Sequence, residues 1–199
     1  MIDVYIDNNI WDFVLSNEID LKSCFPQSEF QLLISKHGRF EIEQMPDNDS
    51  TRPLKAYVYD MLQNCVEEQH RFGFYDPSLP DDEQRASGFG FGALGSVIEN
   101  DMRTLLHQLH GSEDKRKETL ILKKQEADIE LGALSACNFV ITLDKKPGPL
   151  RSAKENGGKV IFLNELSACP DRSTLEYAVK LIREEYNNQL QPTADAPAE

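Results

Sequence analysis

Met1-Ile2-Asp3-Val4-Tyr5-Ile6-Asp7-Asn8-Asn9-Ile10-Trp11 is the stretch whose reading decides the fold. It reads as a short apolar strand that delivers the Asp7 carboxylate to its C-terminal tip. In open α/β sheets that edge is where ligands bind. A second strand-like run, Phe139-Val140-Ile141-Thr142-Leu143, delivers Asp144 in the same way. Two acids on one sheet edge predict a divalent-metal site, because Mg²⁺ and Mn²⁺ prefer hard oxygen ligands.

Working outward, helical spacing follows over 9–16, a second strand over 31–35, and a further helical stretch through His37-Gly38-Arg39-Phe40-Glu41-Ile42-Glu43. Pro46 and the Asp47-Asn48-Asp49-Ser50 cluster close this unit. Residues 53–68 read as helix. Residues 71–97 form a long Gly- and aromatic-rich loop without period, a length that in compact domains marks function or disorder. Helical patterns return over 98–110, stopped by Gly111, and over 119–136, although 119–122 also reads as extended. The last third alternates strand 139–143, helix 152–156, strand 159–163 and helix 172–190. Such alternation predicts an α/β fold, a mostly parallel central sheet covered by helices. The expected organisation is one domain over 1–165 with a helical and Gly-rich insertion at about 46–115, a C-terminal helix over 166–190, and a disordered tail over 191–199.

The chain has 199 residues, 40% hydrophobic and 9% aromatic, enough for one domain with a sizeable core. No apolar run reaches the roughly 18 residues that a membrane span needs, so no membrane partner is expected. No basic region precedes an apolar stretch at the N-terminus, so it does not read as a signal peptide. Cys24, Cys65, Cys137 and Cys169 are scattered, with no CxxC pair, as in a reduced, cytoplasmic protein. The net charge of −13 argues against holding nucleic acid by bulk electrostatics. It leaves room for local basic patches, and two flank the acids. Lys115, Arg116, Lys117, Lys123 and Lys124 precede Asp128; Lys145, Lys146, Arg151 and Lys154 follow Asp144.

With these pieces in order, the chain resembles the PIN-domain family, the nuclease fold of VapC-type toxins and of eukaryotic RNA-processing enzymes. The matching stretches are 4–11, the second strand leading into Phe40-Glu41-Ile42, Ala127-Asp128-Ile129 opening a helix, Val140 to Lys146, and the strand Lys159 to Leu163. The resemblance implies a PIN-like three-layer sandwich and an acidic site of Asp7, Glu41, Asp128 and Asp144. Asp7, Asp128 and Asp144 would bind Mg²⁺ or Mn²⁺, with Glu41 completing the shell or positioning water. Asn9 takes the place of the family's small polar residue, and Lys145, Lys146 and Arg151 would hold the substrate backbone. The implied reaction is RNA phosphodiester hydrolysis leaving a 3′-hydroxyl and a 5′-phosphate, by a toxin of a toxin–antitoxin pair among other options. An antitoxin or other protein partner and a homodimer belong to the same implication.

Three departures support other readings. Lys146 stands where the family often has another acid. The stretch from Asp128 to Thr142 is about three residues short, nearly one helical turn, which brings Glu126 or Glu130 into contention as the ligand. The middle of the chain is longer than in the small toxins. A PIN-like module with weak or lost catalysis that binds protein or RNA, and a structure-specific DNA nuclease, are the alternatives.

Gly90-Phe91-Gly92-Ala93-Leu94-Gly95 matches GxGxxG literally, but it follows a polar loop where the dinucleotide fingerprint needs a strand. Its glycines suit a mobile flap. Phe89 and Phe91 are expected to pack this segment onto the core, with stacking on unpaired bases as the functional alternative. His107 and His110 lack further ligands for zinc, and Trp11 is expected to pack the first helix.

Overall fold

The computed structural model describes residues 1–114 and 121–190. Strand β1 (Ile2–Ile6) leads to helices α1 (Asn8–Ser16) and α2 (Leu21–Cys24), then to β2 (Phe30–Ser35), α3 (Lys36–Glu43), α4 (Arg52–Asn64) and β3 (Val66–Gln69). After the long loop come α5 (Val97–His110), α6 (Glu126–Leu134), β4 (Phe139–Thr142), α7 (Pro149–Glu155), β5 (Val160–Phe162), α8 (Leu163–Leu166) and α9 (Arg172–Leu190). The sheet has five strands in the order β3-β2-β1-β4-β5, and every pairing is parallel.

Strands buried on both faces read as near-continuous apolar runs, which is why β1 and β4 carry so few polar residues. Val4 and Ile6 face a cluster that takes in Ile10, Trp11 and Val14 of α1, Val58 of α4 and Leu175, Val179 and Ile182 of α9. Tyr5, Leu33 and Val140 face the opposite way, onto Leu106 of α5, Ile129 of α6 and Leu150 of α7. Helices on both faces give three layers around one sheet. Gly132 lets α6 approach α5 closely, since a Cβ there would lie 2.6 Å from Leu106 Cδ1. Among the described residues no helix is long and apolar enough to cross a membrane.

The largest differences from the sequence reading fall in two stretches. The helix expected through Glu68 stops at Asn64, and Val66–Gln69 becomes the edge strand, in register with Leu32 to Ser35. Sheet pairing overrides local propensity here, and Glu67 and Glu68 on an edge discourage further strand addition. Of the helix expected over 119–136, residues 119 and 120 lie outside the described residues, and within the rest the helix spans Glu126–Leu134. Gln125 takes a left-handed conformation (φ 61°), and the backbone of Ile121 is held by Gln44 and Arg85. The tail over 191–199 and the basic residues Lys115, Arg116 and Lys117 lie outside the described residues.

Candidate active site

Asp7 follows the last residue of β1 and stands at the N-cap position of α1 without a side-chain capping bond; the residue is only 7% exposed. Pairing of β1 with β4 sets Ile6 beside Ile141, so Asp7 and Thr142 meet at the same sheet edge. The Thr142 hydroxyl donates to Asp7 Oδ2 at 2.6 Å and accepts from the Asp144 backbone N–H at 2.9 Å. One hydroxyl therefore ties both strand-end acids together. Asn9 adds a second clamp: its Nδ2 donates to Asp7 Oδ2 at 2.6 Å, and its Oδ1 accepts from the Leu143 N–H at 2.9 Å. Asn164 donates to the Asp144 carbonyl at 2.9 Å and fixes the turn that follows β4.

Glu41 reaches the same edge from α3. Asn8 Nδ2 donates to Glu41 Oε2 at 2.8 Å and to the Gly38 carbonyl at 2.9 Å, which locks α3 against the start of α1. Burial pushes the Asp7 carboxyl up to about 6. The Thr142 hydrogen bond pulls it back, and the charge of Glu41 raises it further. No cation of the described residues stands beside Asp7 to relieve this. Asp128 sits in the first turn of α6, next to Ala127, which packs on Phe40 of α3; the helices bearing Asp128 and Glu41 are thus neighbours.

Glu126 and Glu130 behave differently. Glu126 accepts from Arg85 Nε at 2.8 Å and lies 3.6 Å from His37 Nε2. Burial would raise its carboxyl, but the bonds from His37, Arg85 and the Lys123 backbone hold it well below the usual range. Glu130 is buried and takes two bonds of 2.9 Å from Arg103, which hold its carboxyl low despite burial. Both are therefore charge partners of arginines.

Lys145 and Lys146 are exposed just beyond β4, and the Lys146 N–H donates to Asp144 Oδ1 at 3.0 Å. Arg151 lies on α7, stacked 4.0 Å over the Phe162 ring and paired with Glu165. Thr142 and Asn8 were not singled out from sequence. Thr142 is legible only once β1 and β4 are known neighbours, and Asn8 only once α3 is docked.

Hard carboxylate and amide oxygens suit Mg²⁺ or Mn²⁺, and Mg²⁺ is commonly held by one or two carboxylates with waters and substrate phosphates. Asn8 Oδ1, buried and without a hydrogen-bond partner, and the repulsion between Asp7 and Glu41 fit a cation at this edge. Among the described residues no three His, Cys, Asp or Glu side chains already stand close enough to enclose an ion. Comparison of the chain with protein-family models, curated proteins and solved structures gives no match.

Proposed function

We propose that the chain is a PIN-like, metal-dependent ribonuclease that hydrolyses RNA phosphodiester bonds at the C-terminal edge of the sheet, with Asp7, Glu41, Asp128 and Asp144 as its acidic residues. The observation that carries this reading is the burial of Asp7 with no cation of the described residues beside it. A carboxylate pushed up to about 6 beside a second acid gains most from a divalent cation. Bound Mg²⁺ or Mn²⁺ would polarise a scissile phosphate and acidify an attacking water. Asp7 and Asp144 are the principal ligands, held in register by Thr142 and Asn9. Glu41, oriented by Asn8, is placed to accept a proton from water or to complete the ligand set. Lys145 and Lys146, exposed beside Asp144, supply positive charge for the substrate backbone. Four free cysteines suit a reducing compartment such as the cytoplasm.

The test is cleavage of single-stranded RNA with Mn²⁺, together with Mn²⁺ titration by calorimetry. Asp7→Asn and Asp144→Asn are each expected to lower cleavage by more than about a hundredfold while leaving the circular dichroism spectrum unchanged. Retained activity in both variants, or no Mn²⁺ binding by the wild type, overturns the proposal.

A further inference from the structure

Beside the acidic edge lies a region of opposite polarity. A cavity of about 190 Å³ opens over β1, β2 and β3, where Lys36, His37, His70, Arg71, Arg85 and Arg103 converge. A second, of about 390 Å³, shares His37, Arg71, Arg85 and Arg103 and adds Lys123 and Lys124, which pair with Glu113 of the same wall and with Asp114. Acids are present too, but they are largely engaged. Glu126 is taken by Arg85, Glu130 by Arg103, and Glu99 by the Ser96 cap and Asn138; Asp3 remains in the wall. Arg71 is left over. Its Nε is buried without a hydrogen bond, 4.0 Å from a Glu130 oxygen that Arg103 already occupies. Lys36 makes no ion pair among the described residues, and burial lowers its ammonium.

Ala93, Leu94 and Gly95 of the Gly- and aromatic-rich loop line the cavity, and the same loop carries Phe89 and Phe91 a few residues earlier. Phe89 and Phe91 are each 83% exposed, against the expectation that they pack onto the core, and Phe74 and Leu94 are as open. The loop is stitched rather than loose. Phe72 N–H donates to the Ala93 carbonyl and Ala93 N–H to the His70 carbonyl, both at 2.7 Å, and Ser87 N–H donates to the Arg71 carbonyl at 2.8 Å. Gly92 permits this approach, since a Cβ there would lie 2.5 Å from the Phe72 backbone. The Phe72 and Phe89 rings meet at a tilt of 57° with centroids 4.8 Å apart. Arginines beside an ordered, water-exposed aromatic platform match the two faces of an unpaired nucleotide, phosphate and base. Continuity with the acidic edge is direct: His37 lines both cavities, and the next residue, Gly38, accepts from the Asn8 that orients Glu41.

We infer that this cavity and the aromatic loop bind a single RNA strand next to the cleavage edge, Arg71 and Lys36 holding a phosphate while Phe89 and Phe91 stack on bases. The identity of the occupant rests on the ribonuclease reading. The experiment is fluorescence anisotropy of a labelled oligouridylate in EDTA, so that binding is read without cleavage. Arg71→Glu is expected to weaken binding about tenfold or more and to lower the salt slope by about one. The Phe89→Ala, Phe91→Ala double variant should lose roughly tenfold as well, with an unchanged circular dichroism spectrum and urea midpoint showing that losing the Phe72–Phe89 contact leaves the fold intact. Unchanged affinity in both variants, equal affinity for duplex RNA, or binding of inorganic phosphate without the oligonucleotide overturns the inference. The two proposals separate cleanly. Tight binding with no Mn²⁺-dependent cleavage defeats the hydrolytic reading alone; cleavage with unaltered KM in Arg71→Glu defeats the strand site alone.

Discussion

Asp7 and Glu130 are both buried carboxylates within one small sheet protein, yet their surroundings push them in opposite directions. At the β1–β4 edge, Asp7 is met by the amide of Asn9, the hydroxyl of Thr142 and the Asn8 backbone, all neutral, and its carboxyl rises to about 6. On the far side of α6, Glu130 lies in the grip of Arg103 and its carboxyl falls. Burial is common to the two; the nearby cation is not. A paired acid is a structural element whose charge is already spent, whereas an unpaired one is poised to take up a proton or a metal ion. The same contrast runs through the cations, since Arg85 and Arg103 are satisfied and Arg71 is not.

The comparison breaks most visibly at Glu130. Glu130→Gln leaves Arg103 charged and buried, which is expected to cost about 3–5 kcal/mol; a urea midpoint unchanged from wild type would mean that the pair contributes nothing to the fold. Thr142→Val removes the hydroxyl that joins Asp7 to Asp144 while keeping the β-branched shape of β4. Cleavage should fall about 10- to 100-fold through misplaced carboxylates, with stability little altered. Kinetics with varied Mn²⁺ would check that the loss lies in metal affinity.

Asp7→Asn sharpens the contrast in stability. Because the folded-state value of Asp7 is raised above 3.8 to about 6, the native state holds its proton more tightly than the unfolded chain. Its contribution to stability is fully present below about pH 4 and is lost as pH rises through 6. Asp7→Asn should therefore be more stable than wild type at pH 8, by on the order of 1–3 kcal/mol, and no more stable at pH 4. Denaturant titrations at the two pH values measure this. Added Mn²⁺ should raise the wild-type melting temperature and leave that of Asp7→Asn unmoved.

Much of the frame was legible in the residues. Runs 2–6, 30–35 and 139–142 are apolar enough to be buried on both faces, and the final helix over 172–190 was read with its observed bounds. The acids at the tips of β1 and β4 followed from strand length alone. The edge strand Val66–Gln69 was not legible, because a short Glu-rich segment has no strand signal until β2 offers it partners. Nor was the late start of α6, where tertiary bonds to Ile121 and a left-handed Gln125 replace helix. The aromatic loop was recognised as unusual, but its ordered backbone ladder and outward-facing rings depend on a Gly92–Phe72 approach that no local pattern announces.

By itself the sequence determined the layered architecture and the strand ends that carry Asp7 and Asp144, because alternation and strand-end position are properties of neighbouring residues. Only the tertiary structure decided which acids stay uncompensated. Arg85 and Arg103 reach Glu126 and Glu130 across separations of 41 and 27 residues, whereas Asp7 is met across 135 by Thr142, a neutral hydroxyl, with no cation of the described residues beside it. Electrostatic character depends on distance in space, and chain order does not encode that distance until the helices have docked.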